Sequence, residues 1–568
     1  MHLPVESDQQ TSPKAATTEG VAEPARRRAQ HEKLQPRGST SAKLPATPNS
    51  YDEVPYKSYP YRQTHPDRLA TIATLFGMQP PAIANCRVLE LACASGGNLI
   101  PLALQLPRAK FLGIDLSSRE LAEGRATIEA LGLENIELRH ANILDLGPEL
   151  GEFDFIIAHG VYSWIPDAVQ AKLLEVCRRH LSPQGVAYVS YNTYPGWRMR
   201  GMIRDMMCYR ARSFDNPNDR LRQSRALLDF LSRSVPTEDN AYGILLKDEL
   251  NQMREKDDSY LFHDYLEDVN QPLYFYQFVE AAEAQGLQYL GEADYRVMSV
   301  SNFPREVEAM LHSVSSNRVE MEQYMDFLRN RMFRQTLLCH REVTLDQRPS
   351  PQRILGLHVA SPAKPETQPI DIHNRETVTF RGPSSVLTTS EPIVKAAMLQ
   401  LGEAWPRSVP FATLFAAARS KLNPQPVVVD TAHVTYDTQQ LAEPLLRCYA
   451  TALVSLSVQP SAFALEVSLQ PRATQLARLQ AAGGNSVTNC QHNTVHLNDL
   501  ERHVLPHLDG EHDRSAIVAS LAKRVADGRL VIHEQGVPVI DATRISQVLT
   551  EAIEPCLERL ARLALLEG

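Results

Sequence analysis

The chain has 568 residues, a formal net charge of −9 at pH 7 and an ordinary hydrophobic share of 43%. Its length exceeds what one hydrophobic core usually supports, so we expect about three or four domains. The modest negative charge argues against a nucleic-acid binder that relies on bulk positive charge. No run approaches the roughly 18 apolar residues of a transmembrane helix, so no membrane span is expected.

The first 50 residues are rich in Pro, Ser, Thr, Gln, Ala and charged side chains, and they contain few large apolar residues. Such a segment cannot bury enough surface to offset the entropy lost on ordering, so residues 1–50 are predicted to be a disordered tail. The tail lacks the charged-then-apolar pattern of a secretion signal. The eight cysteines form no C-x-x-C pair, which favours reduced thiols in a cytoplasmic protein.

Residues 87–98, with the sequence RVLELACASGGN, are the most informative stretch of the chain. An apolar strand pattern is followed by small residues and then by a helical pattern over residues 99–106, which predicts the strand, turn and helix that begin a nucleotide-binding unit. Small residues let the backbone N–H groups approach a ligand at the helix N-terminus. Glu90 is unusual, because a carboxylate inside an apolar strand is costly unless something pairs with it.

Further strands follow at residues 110–115, 136–142, 153–159 and 185–191, with helical patterns at 118–131 and 166–181. Alternating strands and helices predict a parallel sheet covered on both faces, which binds ligands at the C-terminal ends of its strands. Asp115 lies roughly 20 residues after the glycine turn, where dinucleotide-binding folds place the acid that accepts from ribose hydroxyls. The residues predicted at that edge are Ala94, Gly96, Asp115, Asn142, His159 and Tyr191.

The rest of the chain predicts more helix than strand. An α/β core over residues 51–300 would contain a helical insertion at about 198–262 and a further strand at 287–292. A helical extension is predicted over 301–345 and an α+β middle domain over 346–480, beginning in an irregular stretch to about 385. A mostly helical domain is predicted over 481–568.

The ordered motifs resemble those of class I S-adenosylmethionine-dependent methyltransferases; they lie at residues 90–96, 115, 142–143, 159–164 and 181–185. A narrower resemblance is to bacterial methyltransferases with a methyltransferase regulatory domain, among them the rickettsial outer-membrane-protein lysine methyltransferases. It is carried by residues 51–56, 64–66, 159–164, 191–197, 323–335 and 505–510. The implied fold is α/β, with a Rossmann-like seven-stranded sheet followed by mostly helical middle and C-terminal domains.

The resemblance implies S-adenosyl-L-methionine as cofactor and assigns a part of it to each motif. Glu90 would lie near the amino acid end, the turn after it would present backbone, and Asp115 would accept from both ribose hydroxyls. Asn142 and Ile143 would flank adenine, and His159 and Gly160 would line the floor of the cofactor site. Two N-terminal tyrosines would form a lid. The predicted cofactor-binding residues are Tyr51, Tyr56, Glu90, Ala92, Cys93, Ala94, Gly96, Asp115, Leu116, Asn142, Ile143, His159 and Gly160.

One departure from the family pattern concerns Ala92 and Ala94, which stand where the family usually has glycine. Alanine allows close approach at negative φ but does not share the glycine-only conformations. The two alanines therefore leave open an alternative hypothesis, in which the protein is a regulator that binds the cofactor and no longer catalyses methyl transfer.

A lysine acceptor would have to lose a proton, which desolvation favours, and its cationic methylated product would be held by aromatic faces. Five aromatic residues lie at or just beyond two strand ends: Tyr162, Trp164, Tyr191, Tyr194 and Trp197. Tyr162, Trp164, Tyr191 and Asn192 are the candidate catalytic residues, with Asn192 as a hydrogen-bonding partner of the acceptor. Ordinary core packing is the alternative for the aromatic rings.

The expected partner is a protein substrate, and an outer-membrane or surface protein met before export is one candidate; a homodimer is also considered. Small-molecule and RNA methylation remain alternatives, because one fold hosts many substrates. A nicotinamide enzyme is disfavoured by the absence of G-x-G-x-x-G. No metal site is expected, because Cys490 and the histidines at positions 492, 496, 503 and 507 do not complete a tetrahedral ligand set. These histidines are interpreted as surface residues.

Overall fold

The computed structural model describes residues 50–56, 58–346, 348–423, 431–460, 463–534 and 536–567. The predicted disordered tail falls, apart from residue 50, outside the described residues. None of the described helices is long and apolar enough to cross a membrane.

A seven-stranded sheet is built from residues 87–340, with strand order β3-β2-β1-β4-β5-β7-β6. The first five strands pair in parallel, and β7 runs antiparallel to both β5 and β6. The predicted α/β fold is thereby confirmed. The strands are β1 (Arg87–Leu91), β2 (Lys110–Asp115), β3 (Ile136–His140), β4 (Phe153–Ala158), β5 (Leu181–Asn192), β6 (Leu287–Glu292) and β7 (Phe333–His340).

Helices cover both faces of the sheet, which is why its central strands are apolar on both sides. Val88, Phe155 and Tyr188 face one buried cluster, while Leu89 and Ile156 face another. The chain also encodes the helix ends, since the Ser117 side chain caps the N-terminus of α4 and Gly132 ends it at φ 64°. The flanking helices are α1 (Ser50–Glu53), α2 (Pro66–Leu75), α3 (Leu99–Gln105), α4 (Ser118–Leu131) and α5 (Asp167–His180).

A helical insertion follows β5, close to its predicted bounds, and it has its own small core around Ile203, Leu228 and Leu246. Its helices are α6 (Trp197–Ala211), α7 (Pro217–Ser234), α8 (Ala241–Arg254) and α9 (Asp258–Leu266). Three more helices surround the last two strands of the sheet: α10 (Phe275–Ala284), α11 (Arg305–Val314) and α12 (Arg318–Arg329).

The predicted boundary at residue 300 is wrong, because β7 completes the sheet between β5 and β6. The predicted extension over 301–345 is therefore only partly helical, and the sheet needs the chain as far as His340. Arg334, inside β7, is fully buried and pairs with three carboxylates on neighbouring elements. Those carboxylates belong to Glu292, Glu322 and Asp326.

In its described residues, the region after β7 contains two small three-stranded sheets and three helices. It does not form a separate domain, because its buried residues, as far as Leu456, belong to the same cluster as Val88 and Tyr188. The stretch to residue 385, expected to be irregular, contains three short strands. The elements are β8 (His358–Ala360), β9 (Lys364–Pro365), β10 (Val378–Arg381), β11 (Val386–Thr389), α13 (Pro392–Ala404), β12 (Val409–Pro410), α14 (Phe411–Leu422), α15 (Thr431–Ala450) and β13 (Ser455–Ser457).

The C-terminal region has a separate core, which extends from Ala473 to Leu566. It therefore begins several residues before the predicted boundary at 481, and its described residues include two pairs of antiparallel strands besides the expected helices. Its elements are α16 (Gln475–Gly483), β14 (Ser486–Thr488), β15 (Thr494–His496), α17 (Asp499–Val504), α18 (Arg514–Ala526), β16 (His533–Glu534), β17 (Val537–Pro538) and α19 (Ala542–Arg562).

Candidate active site

The turn after β1 contains two alanines in the left-handed conformation, with φ 60° at Ala92 and 49° at Ala94. Negative φ was the conformation expected of alanine, so this expectation is wrong. Left-handed backbone costs a residue with a Cβ roughly 1–2 kcal/mol. Hydrogen bonds hold the turn: Cys93 N donates to the Ile114 carbonyl, and Ala94 N donates to Asp115 Oδ2 at 2.8 Å. The alanines thus adopt the kind of turn that glycine would favour.

Asp115 ends β2 and faces this turn. Its Oδ2 accepts from Ala94 N and its Oδ1 accepts from Ser117 N, both at 2.8 Å. Burial raises the pKa of the Asp115 carboxyl. Each carboxylate oxygen has a further lone pair, so the group can still accept from two neighbouring hydroxyls. The sugar diol of a nucleoside presents such a pair.

Glu90 is buried inside β1, and its Oε1 accepts from Asn98 Nδ2 at 2.8 Å. Its Oε2 is buried and has no hydrogen-bond partner among the residues that the structure describes. Burial raises the pKa of Glu90 to about 8. An orphaned carboxylate oxygen beside the glycine turn fits a cationic amino group, and this is the fit expected for the amino acid end of the cofactor. Sequence reasoning missed Asn98, although it directly follows Gly97.

His159 follows β4, and its neighbours fix its ring. His159 Nδ1 lies 2.9 Å from the Tyr188 hydroxyl and 3.2 Å from Ser190 Oγ, and Gly160 N donates to the same Ser190 oxygen at 2.7 Å. The Tyr61 ring centroid lies 3.8 Å from that of His159. Burial lowers the pKa of His159 to about 3, so its ring is neutral at physiological pH. Tyr61 is a second residue that sequence reasoning missed.

The two tyrosines predicted to form a lid both contact His263 on α9. Tyr51 stacks on the imidazole at 4.2 Å between centroids, and Tyr56 meets it edge-on at 5.9 Å. Tyr56 N also donates to Glu120 Oε1 on α4 at 2.7 Å. Burial raises the pKa of Tyr51, and the negative charges of Glu267 and Asp115 raise it further. The N-terminal segment therefore lies beside the Asp115 end of the edge.

The predicted adenine-binding residues lie at the ends of β2 and β3. Leu116 is exposed, and its carbonyl lies 2.9 Å from His140 Nε2. Asn142 Oδ1 accepts from Leu144 N at 3.0 Å, which begins a short 3-10 turn that contains the buried Ile143. This end of the edge offers an exposed apolar side chain next to a polar one.

The five aromatic residues near the ends of β4 and β5 do not form one cluster. Tyr162 and Tyr191 belong to the buried core, where both rings contact Phe278 on α10. The Tyr191 hydroxyl also lies 3.0 Å from Thr336 Oγ1. Successive side chains of a strand lie on opposite faces of the sheet, so the Tyr191 ring lies on the face opposite to that of Tyr188.

The remaining three rings lie nearer the insertion. Trp164 meets Trp197 edge-on at 6.3 Å, and Tyr194 lies beneath the Arg198 guanidinium at 3.8 Å. Asn192 is buried, and its Nδ2 donates to Asn270 Oδ1 at 3.2 Å. These residues border the end of β5.

Exposed apolar side chains occur where β5 and β7 meet α6. Phe333 pairs with Asn192 across the two strands, and its ring lies 6.2 Å from that of His159. We call this set the apolar rim; it consists of Met199, Met202, Met332 and Phe333, which are 38–49% exposed. Sequence reasoning missed the rim, because its members come from segments more than 100 residues apart. No group of three or more His, Cys, Asp or Glu side chains among the described residues could hold a metal ion.

Three family models match the chain. A methyltransferase domain matches residues 88–185 and a predicted methyltransferase regulatory domain matches residues 257–340. The third, a PKMT C-terminal winged helix domain, matches residues 470–565 and defines the region expected only to be mostly helical.

Relatives match nearly the whole chain. The uncharacterized protein RP789 of Rickettsia prowazekii is 37% identical over 526 residues, which cover 91% of this chain and 94% of the relative. The structure of PKMT2 from Rickettsia typhi is 30% identical, covers 90% of this chain and 100% of its own, and superposes with a TM-score of 0.79. PKMT2 in complex with AdoHcy superposes with a TM-score of 0.80. The chain therefore belongs to the family of these Rickettsia proteins, and it is a class I methyltransferase that uses S-adenosylmethionine.

Proposed function

We propose that the protein methylates lysine side chains of other proteins. The observation that carries the proposal is the likeness along 90% of the chain to PKMT2, whose name denotes a protein lysine methyltransferase. A likeness confined to the methyltransferase domain would support the chemistry alone, since one fold serves many acceptors. Here the likeness includes the insertion and the C-terminal regions, where acceptor recognition would differ.

The surface next to the site also favours a polypeptide acceptor. A run of aromatic rings leads from Tyr194 through Tyr274 to Phe327, with centroid distances of 5.3 and 6.0 Å. Tyr276 and Tyr324 flank it at 5.9 and 6.1 Å. We call these five residues the aromatic ridge. Exposed aromatic rings are typical of surfaces that bind other proteins, because they bury a large area at a small entropic cost.

In this proposal the edge of the sheet holds the cofactor by its two ends. S-adenosylmethionine supplies a methyl group on a positively charged sulfur. Glu90 would bind the amino group, the backbone of residues 92–96 would approach the carboxylate, and Asp115 would accept from the ribose. Leu116, Asn142 and Ile143 would border adenine. His159 and Gly160 would form the floor of the site, and Tyr51 and Tyr56 would exclude water from above.

The chain would promote loss of the lysine proton through its surroundings. His159, with its pKa of about 3, cannot take a proton efficiently near neutral pH. Burial raises the pKa of Tyr61 to about 12, so this hydroxyl also stays neutral. Desolvation at the apolar rim and the positive charge of Arg198 beside it would both favour the neutral amine. The bound nucleophile would then need only correct alignment.

The test is methyl transfer to mixed acceptors. The purified enzyme is incubated with methyl-labelled S-adenosylmethionine and a cell extract separated into protein, RNA and small-molecule fractions. We expect label in protein, recovered as methyl-lysine after acid hydrolysis. Label recovered only in RNA or in small molecules would contradict the proposal.

Matched variants probe the aromatic ridge. Phe327→Ala should raise KM for the protein acceptor and leave KM for S-adenosylmethionine unchanged. Tyr436→Ala, which truncates an exposed ring on α15, serves as the control and should change neither constant. Equal effects of both variants would contradict a role of the aromatic ridge in binding the protein acceptor.

The resemblance to the rickettsial enzymes also suggests which proteins are methylated, where this happens and how the enzyme assembles. We propose that the acceptor is an outer-membrane or surface protein methylated in the cytoplasm before export, and that the enzyme acts as a homodimer. Methyl-lysine in surface proteins, lost when the enzyme is deleted, would support the first part. Light scattering of the purified protein tests the second, and a monomer at micromolar concentration would contradict it.

A further inference from the structure

The hairpin of β14 and β15 carries a buried histidine at its tip. His492 is fully buried, although sequence reasoning placed it on the surface, and it adopts a left-handed conformation with φ 58°. The loop around it is well fixed. Asn489 Oδ1 accepts from Gln491 N and Asn493 N at 3.0 and 2.9 Å, and Asn489 Nδ2 donates to the Leu563 carbonyl at 2.8 Å. The tip therefore presents its imidazole as a rigid part of the C-terminal domain.

His492 reaches the methyltransferase site through Asn98. His492 Nε2 lies 2.8 Å from Asn98 Oδ1, which also accepts from Tyr61 N at 3.0 Å. Thr64 Oγ1 lies 3.1 Å from the same oxygen and 2.8 Å from the Tyr61 carbonyl, and its single proton can go to either. Since a carbonyl oxygen only accepts, His492 Nε2 must donate and carries the ring proton. His492 Nδ1 is buried without a partner in the described part of the chain, as expected for the unprotonated nitrogen of a neutral ring.

The orientation of the Asn98 amide matters for Glu90. In the observed orientation, Asn98 Nδ2 donates to Glu90 Oε1 at 2.8 Å. If the amide turned over, its oxygen would face the Glu90 carboxylate, which is ionised when the cofactor is bound, and its NH2 group would face the Tyr61 N–H, which can only donate. In the reverse orientation His492 Nε2 could only accept, which would put the ring proton on the buried Nδ1, where no described residue accepts it. His492 therefore favours the Asn98 orientation that positions Glu90.

We infer that His492 is a positioning residue of the methyltransferase site, through which the C-terminal domain holds Asn98 and Glu90 ready for the amino end of the cofactor. This inference rests on the role proposed for Glu90. The His65 ring packs edge-on against His492 at 5.7 Å between centroids. Loss of one neutral hydrogen bond should weaken cofactor binding by about threefold to tenfold.

The experiment compares three variants of the full chain. His492→Leu removes the donor, His492→Gln keeps an N–H donor, and His496→Leu changes an exposed histidine of the same hairpin. Titration calorimetry with S-adenosylhomocysteine gives Kd, and steady-state kinetics give KM for S-adenosylmethionine. We expect His492→Leu to raise both constants by about threefold to tenfold and to leave the acceptor KM unchanged. His492→Gln should restore most of the affinity, and His496→Leu should have no effect.

Coupling to Glu90 separates positioning from packing. In a Glu90→Gln background, His492→Leu should cause no further loss of affinity, because the carboxylate it positions is gone. A lower thermal midpoint with unchanged Kd would overturn the inference and leave His492 a packing residue. If Glu90→Gln left Kd unchanged, the role proposed for Glu90 would itself be refuted. If Glu90→Gln lowered the affinity for S-adenosylhomocysteine and His492→Leu did not, only the inference about His492 would be refuted.

Discussion

Glu90 makes a quantitative prediction about pH, because burial raises its pKa to about 8. With that pKa, the carboxylate is ionised in about 9% of empty sites at pH 7 and about 1% at pH 6. If only the ionised form binds the cationic amino group, Kd for S-adenosylhomocysteine should rise about ninefold between pH 7 and pH 6. Binding at pH 7 should release about 0.9 protons per ligand, since the bound carboxylate is ionised.

Titration calorimetry in two buffers of different ionisation enthalpy measures both quantities. Glu90→Gln should bind more weakly, with a Kd that hardly changes over this pH range and with almost no proton release. Glu120, whose pKa burial raises to about 7, also titrates near the site, so Glu120→Gln serves as the control and should retain most of the slope. A wild-type protein that binds equally well at both pH values would refute the assignment of the amino group to Glu90.

Four further predictions concern single residues. Asp115→Asn should raise Kd for S-adenosylhomocysteine by about ten- to a hundredfold in calorimetry, because charge-assisted hydrogen bonds contribute about 1.5–3 kcal/mol each. Ala94→Gly should raise the free energy of unfolding in urea by about 0.5–1 kcal/mol, because it relieves a left-handed conformation. Arg334→Met should lower that free energy by about 3–5 kcal/mol, since it leaves buried carboxylates unpaired. Tyr191→Phe should lower the free energy of unfolding by about 1 kcal/mol, because it removes the hydrogen bond to Thr336. Its kcat should stay within about twofold, and a large loss of kcat would indicate that Tyr191 is catalytic.

The sequence predicted those parts of the fold that depend on local pattern. Apolar runs and helical spacing indicated β1 to β6, and the acid at the end of β2 indicated the edge where the site lies. Parallel strands bring their C-terminal ends together whatever their loops contain, which is why Asp115, Asn142 and His159 could be placed at one edge before any contact was known.

The sequence failed where contacts between distant segments decide the structure. A helical extension was predicted over 301–345, yet Arg334 is buried in β7, where carboxylates at 292, 322 and 326 compensate its charge. Alanine at 94 suggested negative φ, but the hydrogen bond to Asp115 holds the opposite sign. A local sequence pattern does not show such partners, because they are distant in the sequence.

The shared core of the sheet has a consequence for the making of this protein. One face of the sheet, with Val88 and Tyr188, belongs to a cluster that ends at Leu456, about 370 residues after the first strand begins. During synthesis, this apolar face stays incompletely covered until roughly four-fifths of the polypeptide has left the ribosome, because the residues that complete the cluster have not yet been synthesised. The nascent chain is thus exposed to aggregation for longer than a self-contained catalytic domain would be, and we expect its yield to depend on chaperones and on the rate of translation.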